Sequence, residues 1–300
     1  MNILLVNNNT PFNKHLIHVT GSKHSFTCKT KRDLHELKTP LVKTPELLIL
    51  NCNVFGVSEY DSLKEREINL KHTGIIVLCE NVSQIRKIEE SRKFNLLIAL
   101  TYNQSFFCIP KILNLINRNK TALLIFPHLP PQRISFSGSA ELENTPEEAK
   151  WFITMVSNVL HSARLITARK KTEMRIALTE MLMNAIEHGN CSISFEQKAD
   201  CLKNDMSIIK LIEEKMEDPQ IRKKTLTIDF TCEAGYGIFT VKDQGNGFNW
   251  KTYTSRKHLD YAPNLNGRGI CITQKISDSL SYNDRGNEVT LGFRFDLLSV

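Results

Sequence analysis

An α/β domain with a doubly wound parallel sheet is expected in the first half, followed by a second domain of different make-up. Three observations lead there. Short, almost wholly apolar runs alternate with charged segments up to about residue 126. Prolines then cluster at Pro127, Pro130 and Pro131. Beyond them, "LTEMLMNAIEHGN" (178–190) sets Glu180, Asn184, Glu187 and His188 along one stripe of an otherwise apolar helix.

The runs of the first half are "NILLV" (2–6), "ELLILNC" (46–52), "TGIIVLC" (73–79), "NLLIAL" (95–100) and "TALLIF" (121–126). Strands covered on both faces of a parallel sheet read this way. "VSQIRKIEESRK" (82–93) and "PKILNLINRN" (110–119) fit the covering helices, and the alternation argues α/β. A ligand site in such a sheet forms at the carboxyl ends of its strands. Those ends carry Asn7-Asn8-Asn9, Asn51, Glu80 and Thr101. By strand order and length this half resembles a response-regulator receiver domain. That family places acids after the first strand, a phosphorylated Asp after the third, Ser or Thr after the fourth and Lys after the fifth. Here Asn7 and Asn8, Asn51, Cys79-Glu80 and Thr101-Tyr102 stand there instead. Amides neither accept a phosphoryl group nor supply the charge that holds Mg²⁺. A receiver-like domain without phosphorylation is expected over 1–126, kept as a dimerisation or docking module; an unrelated small α/β domain is the alternative.

The linker is placed at 127–131 and the second domain at 132–300. "RISFSG" (133–138) reads as a strand. "NTPEEAKWFITMVSNVLHSARL" (144–165) reads as a helix with Asn144 or Thr145 as N-cap and Pro146 in the first turn. In the helix of 178–190 the polar stripe has no Lys, and Gly189 is read as its stop. "TVKDQGNGFNW" (240–250) is a β-branched strand ending at Asp243, with Gly245 and Gly247 next. Asp243 at such a turn can accept from an exocyclic amine such as that of adenine, while a plain hairpin turn is the alternative. In "LNGRGICITQKISDSL" (265–280), Gly267 and Gly269 flank Arg268 ahead of an amphipathic helix. Free backbone N–H groups, a helix N-terminus and a guanidinium make an anion site.

Taken in order, Glu180…Asn184, Asp243-Gln244-Gly245-Asn246-Gly247 and Gly267-Arg268-Gly269 resemble the N-box, D-x-G-x-G and G-x-G boxes of the GHKL ATP-binding family, which includes DNA gyrase, a heat-shock chaperone, histidine kinases and MutL. The resemblance implies an α+β sandwich with helices on one face of a mixed sheet, and "GNEVTLGFRFDLL" (286–298) as its closing strands. It implies ATP and Mg²⁺ as cofactors, with the Asn184 amide oxygen as a Mg²⁺ ligand. Glu180 is then the general base toward an attacking hydroxyl. Thr290 falls where the family often has a Thr near adenine. Glu187 and His188 would contact phosphate or orient Glu180.

Residues 248–265 leave room only for a short lid, in which Arg256 or Lys257 could reach phosphates. His161, in "VLHSARL", lacks the acidic residue and Pro that follow a phosphoacceptor His. What remains looks like the compact anti-sigma-factor serine kinases. That resemblance implies a STAS-type anti-sigma antagonist as substrate, a sigma factor as second partner, and a homodimer. A nucleotide-binding regulatory module without phosphotransfer and a soluble histidine kinase are the alternatives. The 191–224 insert is read as a solvated helix and loop, a partner surface or a neutral insertion.

The 300 residues carry a formal net charge of +7, which permits an acidic partner. There is no aromatic-interleaved basic cluster, so no nucleic-acid partner is expected. No apolar stretch approaches the ~20 residues of a membrane span. The start "MNILLVNNNTPF" has no secretory pattern, so a cytoplasmic protein is expected. The eight cysteines include no CxxC pair and are read as structural thiols.

Overall fold

The computed structural model describes residues 1–30, 45–52, 73–91, 95–124, 135–233, 235–251 and 268–295. It divides into two compact units: Met1–Pro131 with Thr154–Ala168, and Gln132–Ile153 with Arg169–Val300. The helix Pro146–Ser162 thus contributes to both.

The first unit holds five parallel strands: β1 (Asn2–Val6), β2 (Ser25–Lys29), β3 (Leu47–Asn51), β4 (Gly74–Cys79) and β5 (Leu96–Thr101). Their order is β2-β1-β3-β4-β5, that of flavodoxin-like doubly wound sheets. One face buries Leu4, Val6, Leu48, Leu50, Ile75 and Val77 under Ile85 and Ile88 of the helix Val82–Glu90. Each such aliphatic side chain contributes about 1.5–3 kcal/mol.

Two expectations fail here. "TALLIF" was expected as a strand, but Lys120–Leu123 form a helical turn that buries Ala122 and Leu123. A short apolar run has no period of its own, and the turn follows directly on the helix Tyr102–Arg118. The fifth strand is instead β2, "SFTCK", an edge strand with three exposed residues that has no apolar run to reveal it. The covering helix read from Pro110 begins at Tyr102, behind a Thr101/Gln104 capping box, with Pro110 inside it.

The second unit is built on β6 (Ser135–Glu143), β7 (Thr225–Glu233), β8 (Tyr236–Lys242), β9 (Ser279–Tyr282) and β10 (Glu288–Arg294). Their order is β6-β7-β8-β10-β9 and every described pair is antiparallel, which corrects the mixed sheet expected above. β8 and β9 do run in the same direction, but β10 lies between them and opposes both. Alternating burial along β7 and β8 gives the sheet one apolar face, with Ile228, Phe230, Phe239 and Val241 inside. The helix Ala168–Asn184 brings Met174, Leu178, Met181 and Leu182 to the core. The insert forms three helices, Phe195–Lys203, Ile208–Lys215 and Pro219–Arg222, where one solvated helix and loop was expected.

Candidate functional site

The polar helix does not continue as α through His188. At Ala185 it widens into a π-helical segment, Ala185–Asn190, closed by Cys191 N–H donating to the Ile186 carbonyl at 2.8 Å. Such segments lengthen the hydrogen-bonded loop by a residue and gather at functional sites. Two contacts account for this one. Asn190, fully buried, donates to Asn144 Oδ1 and the Thr225 carbonyl, both at 3.1 Å, and accepts from Gln244 N–H at 2.8 Å. Gly189 lies directly beneath Asp243; a Cβ there would meet the Asp243 carboxyl carbon at 2.4 Å. So Gly189 is a point of close approach rather than the helix stop expected from the sequence: it lies inside the π-helical segment, which runs on to Asn190.

The helix and the Asp243 loop are thereby bolted together. Gly245 is needed for the same contact, since its Cβ would fall 2.4 Å from the Gly189 carbonyl oxygen. Gly247 has φ +77°, and a Cβ would collide with the Arg285 carbonyl. Asn287 fixes Asp243 from the other side: its carbonyl accepts from Asp243 N–H at 3.0 Å, and its amide donates to the Asp243 carbonyl at 3.1 Å.

A cavity of about 360 Å³ opens between these elements. Glu180, Asn184, His188, Asp243, Gly247, Arg268 and Gly269 all line it. Met181, Ile193, Val241 and Val289 give it an apolar wall, and Phe248 and Tyr282 an aromatic one. Gly245 stands behind the lining, against Gly189. Thr290 is not part of it: its hydroxyl pairs with Thr240 across the β8–β10 ladder at 3.0 Å, while the adjacent Val289 and its partner Val241 face the cavity. Gly267, Arg256 and Lys257 lie outside the described residues.

The electrostatics follow from burial. Asp243 is 8% exposed, and desolvation raises its pKa to about 6 against the pull of Gly245 N–H, Lys224 and Arg285. Burial also raises Glu180, with Lys198 opposing and Glu187 adding to the shift. The Glu180 carboxylate lies against Gly269, where a Cβ would sit 2.3 Å from Oε2. This holds it at the start of the helix Arg268–Ile276. His188 is pushed down by burial; its Nδ1 bonds the Ile193 carbonyl at 2.6 Å and its ring packs 4.5 Å from Phe195.

Several site residues were not foreseen. Glu187 was placed on the polar stripe, but it is buried and paired with Lys198 at 2.5 Å. Lys198 belongs to the insert, whose Ser194, Phe195 and Glu196 also line the cavity. The insert is therefore a wall of the site. Its helix has a legible signal, "SFEQ" (194–197), a capping box in which Ser194 and Gln197 satisfy each other's backbone N–H groups at 3.2 and 3.0 Å. Of the two caps expected, Asn144 or Thr145, it is Thr145 whose Oγ1 accepts from Glu148 N–H at 3.4 Å, while Asn144 serves Asn190.

Fold and cavity together define an α+β domain that encloses a polar and aromatic cleft between the Glu180 helix, the Asp243 loop and the start of the helix Arg268–Ile276. A family model for the histidine kinase-like ATPase domain matches residues 142–293. The chain belongs to that family, whose ligand is ATP. No curated protein matches the chain significantly.

The residues present fit the nucleotide. Asp243 is a buried acceptor with Oδ1 bonded to Gly245 N–H at 2.7 Å, beside apolar and aromatic walls suited to a base. Arg268, Lys198 and the N-terminus of the helix Arg268–Ile276 add positive groups to the lining. Asn184 and Glu180 offer hard oxygen ligands one turn apart. Among the described residues no cluster of three or more His, Cys, Asp or Glu is arranged for a metal. None of the described helices is long and apolar enough to cross a membrane.

Proposed function

We propose that this protein is a Mg-ATP-dependent protein serine/threonine kinase of the anti-sigma-factor type. In this reading Asp243 takes the adenine amine and Asn184 the Mg²⁺, while Arg268, Gly269 and Lys198 face the phosphates. Bound Mg-ATP supplies the phosphoryl group. Glu180 holds the proton of the attacking hydroxyl at its carboxylate.

The position of Glu180 carries the reading. Its carboxylate is in the cavity, against Gly269 at the helix N-terminus, with its pKa raised by burial. A module that only senses nucleotide needs no base at that end. Proton affinity above that of an ordinary carboxylate suits one. The histidine-kinase alternative loses support because His161 is 3% exposed, too buried to serve as a phosphoacceptor.

The substrate proposed is a STAS-type anti-sigma antagonist, the second partner a sigma factor, and the working form a cytoplasmic homodimer without nucleic-acid or membrane partners. The domain division at 127–131 is kept as part of this proposal. The first unit is proposed as a receiver-like docking module that has lost phosphorylation. In support, Asn51 donates to Asn7 Oδ1 at 3.0 Å and Asn7 to Asn13 Oδ1 at 3.0 Å, a neutral amide network at the carboxyl edge of the sheet.

The test is radiolabelled ATP with the purified chain and a candidate antagonist, wild type against Glu180→Ala. Transfer of an acid-stable, base-labile phosphate that disappears in the variant, with ATP binding kept, is the expected result. Undiminished transfer in the variant, or an acid-labile phosphate, would overturn it.

A further inference from the structure

We propose that Cys52 and Cys79 form an oxidisable dithiol, a modification site at the carboxyl edge of the first unit's sheet, whose oxidant is hydrogen peroxide. Sequence spacing conceals the pair, because 26 residues separate the two cysteines. Sheet register brings them together. Asn51 pairs with Leu78 on the parallel strands β3 and β4. Cys52 N–H then donates to the Leu78 carbonyl at 2.9 Å, which carries the ladder one residue further and sets Cys52 opposite Cys79. In-register residues of parallel strands point to the same face, about 4.8 Å apart between backbones. That lies within the roughly 4.4–6.8 Å Cα separation that a disulfide spans. Cys52 packs against the core cluster that contains Cys79.

The two thiols differ in a way that assigns their roles. Cys79 is 1% exposed and Cys52 is partly exposed. Cys52 also touches Gln84 Oε1 at 3.1 Å. A hydrogen bond from the Cys79 thiol brings Cys52 down to about 7, while Cys79 itself is driven up. So Cys52 is the attacking thiolate and Cys79 the resolving thiol. The Cys52 thiolate attacks one peroxide oxygen, the O–O bond breaks, and the departing oxygen leaves as water after taking up a proton. Cys52 becomes a sulfenic acid. The Cys79 sulfur then attacks the Cys52 sulfur and gives up its proton, and the S–O bond breaks to release a second water. Two thiols are oxidised by two electrons and one peroxide is reduced to two waters. The bond would tie the ends of β3 and β4 together beside the Asn7 and Asn51 network.

The test uses the reduced full chain with one equivalent of hydrogen peroxide, followed by alkylation, denaturation, non-reducing digestion and mass spectrometry. Free thiols should fall from eight to six, with one peptide linked through Cys52 and Cys79 and full recovery on dithiothreitol. Cys79→Ala should stop at a Cys52 sulfenic acid, trapped by dimedone. It should also slow alkylation of Cys52 at pH 7 by about tenfold, the net of lost thiolate and gained nucleophilicity. Cys52 over-oxidised in the wild type while Cys79 stays reduced would overturn the proposal. So would a different cysteine pair linking first, or unchanged Cys52 reactivity in Cys79→Ala.

Discussion

Replacing Asp243 by Asn should make the ligand-free protein more stable while removing nucleotide binding. Burial raises Asp243 from its ordinary 3.8 to about 6. Between those values the folded chain holds the proton more tightly than the unfolded chain, so stability falls as pH rises across that window. Above about pH 6 the cost is complete. That difference corresponds to about 3 kcal/mol, and partial solvent screening reduces this to about 2 kcal/mol. The Asn amide oxygen can still accept from Gly245 N–H, which Asp243 does at 2.7 Å, so the loop keeps its geometry. Urea unfolding at pH 7.5 and pH 4 measures the effect. The variant should exceed the wild type by about 2 kcal/mol at pH 7.5 and by no more than about 0.5 kcal/mol near pH 4, where Asp243 is protonated in the folded chain and only about half ionised in the unfolded one. An equal difference at the two pH values, or a less stable variant at pH 7.5, would refute the claim that a desolvated charge is stored here for function.

Gly189→Ala should abolish nucleotide binding and cost more than about 2 kcal/mol, because its Cβ meets the Asp243 carboxyl at 2.4 Å in a place where both backbones are pinned; calorimetric titration and thermal unfolding read the two effects. Asn190→Ala should destabilise by about 1–3 kcal/mol, since it strands the buried Asn144 Oδ1 and removes the partner of the Gln244 N–H and the Thr225 carbonyl, and denaturant titration checks it. Lys198→Met should weaken ATP binding and lower stability together, because it removes a cation from the cavity lining and leaves the buried Glu187 carboxylate without its partner; calorimetric titration and thermal unfolding read the two effects. The acid limb of phosphotransfer should titrate above the ordinary glutamate value of 4.5, since burial raises Glu180, and a limb at or below that value would contradict its role as base.

The parts of the site readable in advance were those whose residue type states its chemistry. Glu180, Asn184, Asp243 and Arg268 lie in one cavity: helical period places the first two, the glycine-rich loop Asp243, and Arg268 opens a helix. Gly189 and Asn190 were not readable, because their importance lies in contacts with Asp243, Asn144 and Thr225, from 35 to 54 positions away. Lys198 was hidden for a similar reason: one lysine in a charged helix reveals nothing until Glu187 is found buried beside it. Four of the five parallel strands declared themselves as apolar runs, and the edge strand Ser25–Lys29 did not, since an exposed edge is under no demand to be apolar. The Cys52–Cys79 pair depends on register, which single-chain spacing does not encode.

The central claim is that the cleft around Asp243 binds Mg-ATP. Isothermal titration of Mg-ATP and Mg-ADP into the wild type and into Asp243→Ala tests it most directly. Saturable binding of one nucleotide per chain in the wild type, lost in a variant that remains folded, is the result this account predicts. A folded wild type that takes up neither nucleotide, or an Asp243→Ala variant that binds as well as the wild type, would contradict it.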